Sequence, residues 1–97
     1  MTEVYAERDG NLYTICARGH AGDVESCNYI NGALYCFAGY AHNKADLLKF
    51  DVEDGYMLIK CRGDDHLQAA FEAAVIGLLE LEDVRPEALD VSCVNMD

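Results

Sequence analysis

Two kinds of apolar spacing alternate along the chain, and the switches between them mark its elements. Val4 and Ala6 alternate with polar neighbours, Asp9-Gly10 has the chemistry of a two-residue hairpin turn, and Leu12 to Ala17 continues with Tyr, Thr and Ile. This pattern predicts a β-hairpin. Gly19 to Ser26 then loses the period, and its two glycines and scattered polar residues predict a loop of about eight residues, long enough to carry function. From Cys27 the spacing becomes helical: Ile30, Ala33, Leu34, Phe37, Ala38 and Ala41 recur at i, i+3, i+4, i+7, i+8 and i+11. Ser26 is expected to cap this helix by accepting a hydrogen bond from the first turn, which puts Cys27 at the first helical position, and His42-Asn43 marks the exit. Gly32 and Gly39 weaken the intrinsic helix propensity, so the helix depends on packing against a close neighbour.

The second half repeats the scheme. Leu47 to Val52 and Tyr56 to Cys61 read as strands joined by a turn at Glu53-Asp54-Gly55. Gly63-Asp64-Asp65 supplies a helix start whose acidic side chains suit the positive end of the helix dipole. Leu67, Ala70, Phe71, Ala74 and Leu78 form the apolar face of that second helix, Pro86 ends the linker after it, and Leu89, Val91 and Cys93 alternate as a last strand. The order β-β-α-β-β-α-β predicts an α+β fold, an α/β sandwich in which a mainly antiparallel sheet carries both helices on one face.

Composition narrows the function classes. A chain of 97 residues that is 52% hydrophobic, with one proline and no biased stretch, supports one core and a single domain over 1–97. Apolar runs are short and broken by charge, so no membrane span is expected. Met1 to Arg8 has neither a basic start nor an apolar stretch of signal length, which makes the cytoplasm the expected compartment. Five cysteines, without a CxxC pair, fit free thiols better than a disulfide framework. Eighteen acidic residues against seven basic ones give a net charge of -11, which repels phosphate backbones and anionic membranes and favours a basic partner. The same charge also serves simple solubility.

Candidate chemistry gathers at the first helix. A thiol becomes nucleophilic as the thiolate, and a helix N-terminus and a neighbouring imidazole both favour that form. Cys27 is placed for the first aid, and His20, in the preceding loop, can supply the second. First-turn amides around Asn28 would then hold an oxyanion. The competing reading makes Cys27 a small residue at a helix start and His20 a solvated loop side chain. Cys16, His20 and Cys27 lack the spacing and the fourth ligand of a zinc module, and no metal is expected. Cys16, Cys36, Cys61 and Cys93 are expected to be small buried hydrophobes. His42 and His66 suit solvated positions at helix ends. Tyr29, Tyr35 and Tyr40, on the less apolar side of the first helix, suit a dimer face or partial burial.

Gly19-His20-Ala21-Gly22, followed by a mobile loop and a cysteine opening a helix, resembles the glycine-histidine-alanine motif of the ribosomal-processing cysteine protease family (Prp). Tyr35, Ala38-Gly39-Tyr40 and Val75-Ile76-Gly77-Leu78 are similar to the shorter, phage-associated branch of that family, and the likeness spans nearly the whole chain. The resemblance implies a homodimeric α/β sandwich without metal or organic cofactor. The implied activity is removal of an N-terminal extension from a large-subunit ribosomal protein or a related phage structural protein. Carried over, Cys27 attacks the scissile carbonyl, and His20 activates it and protonates the leaving amine. Gly19 and Gly22 would hinge the loop.

The flanks differ from the long branch, in which Asp-Ile-Val precedes the cysteine and Ala-Ala-Val-Ser follows it. Here Val24-Glu25-Ser26 and Asn28-Tyr29-Ile30-Asn31 stand in those places, with Asn31 where the family usually has a serine. Aligned at the longer loop length, the nucleophile position would fall on Gly32. The gapped match that restores the apolar register and Ala38-Gly39-Tyr40 places it at Cys27. Two readings follow: a cysteine endopeptidase acting on a protein terminus, or a catalytically impaired homodimeric binding module of the same fold. A redox or metal-responsive thiol protein is a more remote third.

Overall fold

The computed structural model describes residues 1–95. Its elements are β1 (Thr2–Asp9), β2 (Leu12–Arg18), α1 (Val24–Lys44), β3 (Asp46–Glu53), β4 (Tyr56–Arg62), α2 (Asp65–Val84) and β5 (Leu89–Val94). The strands form one sheet in the order β3-β4-β2-β1-β5. Three of the pairings are antiparallel, and β5 joins β1 in parallel. The two hairpins therefore lie side by side through β2 and β4, and α2 carries the chain across them to the far edge.

Period-two alternation along the inner strands puts Val4 and Ala6 of β1, Tyr13 and Ile15 of β2, and Met57 and Ile59 of β4 into the core. Ile30, Leu34 and Phe37 of α1 and Leu67, Phe71 and Leu78 of α2 meet them. At the centre the Phe71 ring lies 4.9 Å from that of Tyr13 and 5.5 Å from that of Phe37. One side chain of α2 thus touches both the sheet and α1. Each such side chain, once buried, contributes about 1.5–3 kcal/mol.

The start of α1 differs from the sequence expectation. Asp23, not Ser26, is the N-cap: the Ser26 N–H donates to Asp23 Oδ1 at 2.8 Å, and the helix begins at Val24. Starting three residues earlier adds a turn of backbone bonding and lets Ser26, only 2% exposed, join the buried stripe one turn before Ile30. The connection from β2 shrinks accordingly to residues 19–23. Cys27 becomes the fourth helical residue, and its N–H is bonded to the Asp23 carbonyl at 3.1 Å. At its other end α1 runs through His42-Asn43 to Lys44. The second helix starts with Asp64 as its cap, its carboxylate accepting from the His66 N–H at 3.0 Å.

Cysteine burial also needs correction. Cys61 is buried, which pushes its thiol up to about 12, and Cys16 is half-buried. Cys36 and Cys93 are exposed. Cys36 falls just outside the stripe formed by Leu34, Phe37 and Ala38, while burial fades along β5 from Leu89 through Val91 to Cys93. Of the three tyrosines on α1, Tyr40 is half-buried against the core, whereas Tyr29 and Tyr35 are 47% and 48% exposed. The Tyr29 hydroxyl donates to the Gly77 carbonyl of α2 at 2.9 Å. Tyr35 meets Phe50 of β3 edge-on at 5.9 Å.

Phe71→Ala should cost about 3–5 kcal/mol in urea unfolding, because it empties the contact shared by the sheet and both helices. The cap offers a second check. Hydrogen bonding to Ser26, first from its amide, holds the Asp23 carboxyl below the ordinary carboxylate range, and Arg85 at 3.8 Å acts in the same direction. A carboxyl depressed in the folded state adds stability above its unfolded value, about 3.9, and loses it as pH falls through the folded one. Asp23→Ala should therefore lower the urea midpoint at pH 7, with the gap to the parent closing below about pH 4.

Candidate functional site

After β2 the chain turns sharply to set His20 beside the β3–β4 turn, and Gly19 makes that turn. Its φ is +91°, and a Cβ there would lie 2.5 Å from the Met1 carbonyl oxygen, so any larger residue would have to displace backbone. The Gly19 N–H donates to the Gly55 carbonyl at 2.8 Å, and the Thr2 hydroxyl donates to the Gly19 carbonyl at 3.4 Å. These bonds tie the His20 turn to β1 on one side and to the β3–β4 turn on the other. Ala21 is buried and anchors the next step of the loop. Gly22, at φ +97°, then leads into the Asp23 cap.

His20 is held beside the β3–β4 turn. Its Nε2 lies 3.6 Å from Asp54 Oδ1, with the His20 side chain 63% exposed. Gly55 backs the ring: a Cβ at this residue, whose φ is +69°, would come within 3.0 Å of Nε2.

Cys27 is half-buried at the margin of the core. It shares with His20, Gly19 and Asn31 a depression of about 190 Å³. Ala17, Ile30, Leu34 and Met57 give this depression an apolar lining, and Glu53 and Asp54 add acidic groups to its wall. Of the five cysteines Cys27 is the one that lines it, and His20 is its one histidine. Neither Asn28 nor Gly32 lines it.

The earlier helix start changes the electrostatics expected there. Asn28 is now the fifth helical residue, so its N–H falls within the helical ladder instead of pointing out of the first turn. With Ser26 and Cys27 bonded to Asp23, the amides left without a helical partner are those of Val24 and Glu25. Cys27 stays within the turn over which the helix dipole acts. Arg85, beyond the end of α2, lies 3.8 Å from Asp23 and 3.9 Å from Glu25. These are partly solvated contacts of small energetic weight, but they temper the negative charge at the helix start. Among the described residues no three His, Cys, Asp or Glu side chains are grouped to hold a metal ion. No helix of the described chain is long and apolar enough to cross a membrane.

Sequence reading brought out His20, Cys27, Asn31 and Gly19, and the structure gathers all four. It missed Thr2, Asp54 and Gly55. In the sequence Asp54-Gly55 signals a turn, and nothing local says that this turn faces His20; only the pairing of β4 with β2 brings it there.

Comparison with solved structures shows the fold. The essential ribosomal-processing protease Prp from S. aureus, crystallised with a covalently linked product peptide, superposes with a TM-score of 0.81 at 17% identity, covering 96% of this chain and 99% of that one. SMU.848 from Streptococcus mutans gives 0.78 at 23% identity, covering 97% of each chain. A hypothetical protein from Staphylococcus aureus gives 0.71 at 15% identity, covering 96% of this chain and 99% of that one. No protein-family model and no curated protein matches the sequence. The chain has the fold of the ribosomal-processing protease over nearly its whole length.

Proposed function

We propose that the chain is a cysteine endopeptidase in which Cys27 is the nucleophile and His20 its base. The observation that carries this reading is the meeting of Cys27 and His20 at one partly apolar depression, near the start of a helix, in a fold shared with a peptide-cleaving protein. His20 takes the thiol proton, and the Cys27 sulfur adds to the scissile carbonyl. Collapse of the tetrahedral adduct breaks the C–N bond as His20 returns the proton to the leaving amine, leaving a thioester. Water, deprotonated by His20, then releases the acid and restores the thiol. The amides of Val24 and Glu25 are the first-turn groups free to bond an oxyanion, although neither residue lines the depression itself, so the loop must move to bring them to the adduct.

The lining supports a reading of the substrate class. Ile30, Leu34, Met57 and Val52 suit an apolar side chain of a peptide, while Glu53 and Asp54 suit a basic segment beside it. In this reading the substrate is an N-terminal extension of a ribosomal protein or the terminus of a phage structural protein, and a chain of net charge -11 favours one with a basic segment. Asn31, one turn after Cys27 on the same helix and also lining the depression, would hydrogen-bond the peptide in this reading. Gly22 has open space around it and supplies the freedom for the loop to close on substrate. A homodimer would draw on the exposed tyrosines of α1, Tyr29 on the flank toward α2 and Tyr35 on the flank toward β3, each about half accessible.

The second reading, a non-catalytic homodimeric binding module, draws on exposed apolar groups beyond the depression, among them Leu48 and Phe50 on edge strand β3. Iodoacetamide labelling at pH 7, read cysteine by cysteine by mass spectrometry, separates the two. Cys27 should react about tenfold faster than the exposed Cys36, His20→Ala should remove that advantage, and buried Cys61 should stay unlabelled. Equal rates at Cys27 and Cys36, with no effect of His20→Ala, would favour the binding module.

A further inference from the structure

We propose that Asp54 is a positioning residue for His20, acting from the β3–β4 turn to fix which imidazole nitrogen serves the thiol. This rests on the Cys27 and His20 reading above. Three contacts from one short turn converge on the His20 segment. The Gly55 carbonyl accepts the Gly19 N–H at 2.8 Å, which fixes the backbone before His20. Gly55 offers the ring a face without a side chain, where a Cβ would meet Nε2 at 3.0 Å and both flanking ring carbons at 3.5 Å. Asp54 Oδ1 approaches the same nitrogen at 3.6 Å. The hairpin thus addresses the Nε2 edge of the ring by both shape and charge, and Nδ1 is the nitrogen left for Cys27.

The carboxylate matters because proton transfer from the thiol creates an imidazolium. A negative charge beside Nε2 favours the thiolate-imidazolium pair over the neutral one and holds the Nε2–H tautomer, with Nδ1 free to accept the proton. In the free protein Asp54 is 98% exposed, and its pull on His20 is that of a surface pair. A peptide lying across the depression would exclude water from this contact and draw 3.6 Å toward hydrogen-bond length, as catalytic contacts do on closure.

Asp54 also starts a tight turn, and the two roles make opposite demands. Gly55, at φ +69°, supplies the turn's left-handed residue and Asp54 lies outside that region, so Asn at position 54 keeps the short turn-forming side chain while Glu does not. If Asp54 serves the turn, Asp54→Asn is silent and Asp54→Glu is the damaging change. If it serves His20 through its charge, Asp54→Asn is damaging and Asp54→Glu rescues. The experiment measures the second-order rate of iodoacetamide with Cys27 at pH 7 in the parent, His20→Ala, Asp54→Asn and Asp54→Glu, with thermal midpoints for each. Asp51→Asn removes the same charge from the same hairpin outside the depression and serves as the control. The expected result is a roughly three- to fivefold slower reaction in Asp54→Asn with an unchanged midpoint, recovery to within about twofold in Asp54→Glu, and no change in Asp51→Asn. Slowing by His20→Ala with Asp54→Asn equal to the parent would overturn the role of Asp54 alone. Equal slowing in Asp51→Asn would replace it with a general field effect. Indifference to His20→Ala would overturn the dyad and the role of Asp54 together.

Discussion

The packing of Phe71 between Tyr13 and Phe37 is the contact on which the remaining geometry depends. A two-layer fold of this size has one core, and here a single ring from α2 fills the junction of sheet and first helix. With that junction full, α1 cannot roll on the sheet without forcing its apolar stripe, Ile30, Leu34, Phe37 and Ala41, out of register with the strands. The stripe fixes the rotation of the helix, and rotation decides which way Cys27 faces. The end of α1 that carries Cys27 is therefore aligned by the packing of Phe37, nearly three turns away along the helix.

Local pattern revealed much of this architecture. Strict alternation in β1, β2 and β4 and the helical spacing of both apolar stripes carried the element order, because each is enforced by burial on one face. The cap of α1 was misread because Asp23 and Ser26 are both good capping residues three positions apart, and the choice between them is made by burial of Ser26, a tertiary effect. Cys36 and Cys93 were misread for a related reason. Cysteine is at home in cores, but the burial available at these positions is set by the edge of a helix stripe and the far end of an edge strand.

The site divides along the same line. His20 and Cys27 could be picked out because thiol and imidazole are uncommon and lie on either side of a predicted helix start. What surrounds them comes from distant sequence: Thr2 from the first strand, and Asp54 and Gly55 from the turn of the second hairpin. The contacts of Asp54 and Gly55 depend on β4 pairing with β2 in the register that sets Arg18 opposite Tyr56, and no short-range signal encodes that. The same register brings the Arg18 guanidinium over the Tyr56 ring at 5.0 Å, a side-chain clasp at the open end of the two hairpins.

The parallel pairing of β1 with β5 has a consequence for the order of assembly. Val4 lies opposite Val91, and Thr2 bonds through its N–H to Ala88, so the first strand of this fold in chain order is completed by the last. Until then one edge of β1 stays open, and the loop that carries His20 rests against a strand that is not yet held on both sides. Closing a contact across nearly the whole chain is slow compared with forming either hairpin. Each hairpin can form while the chain is still growing, but the wall that Thr2 contributes to the site is set only when synthesis has reached β5.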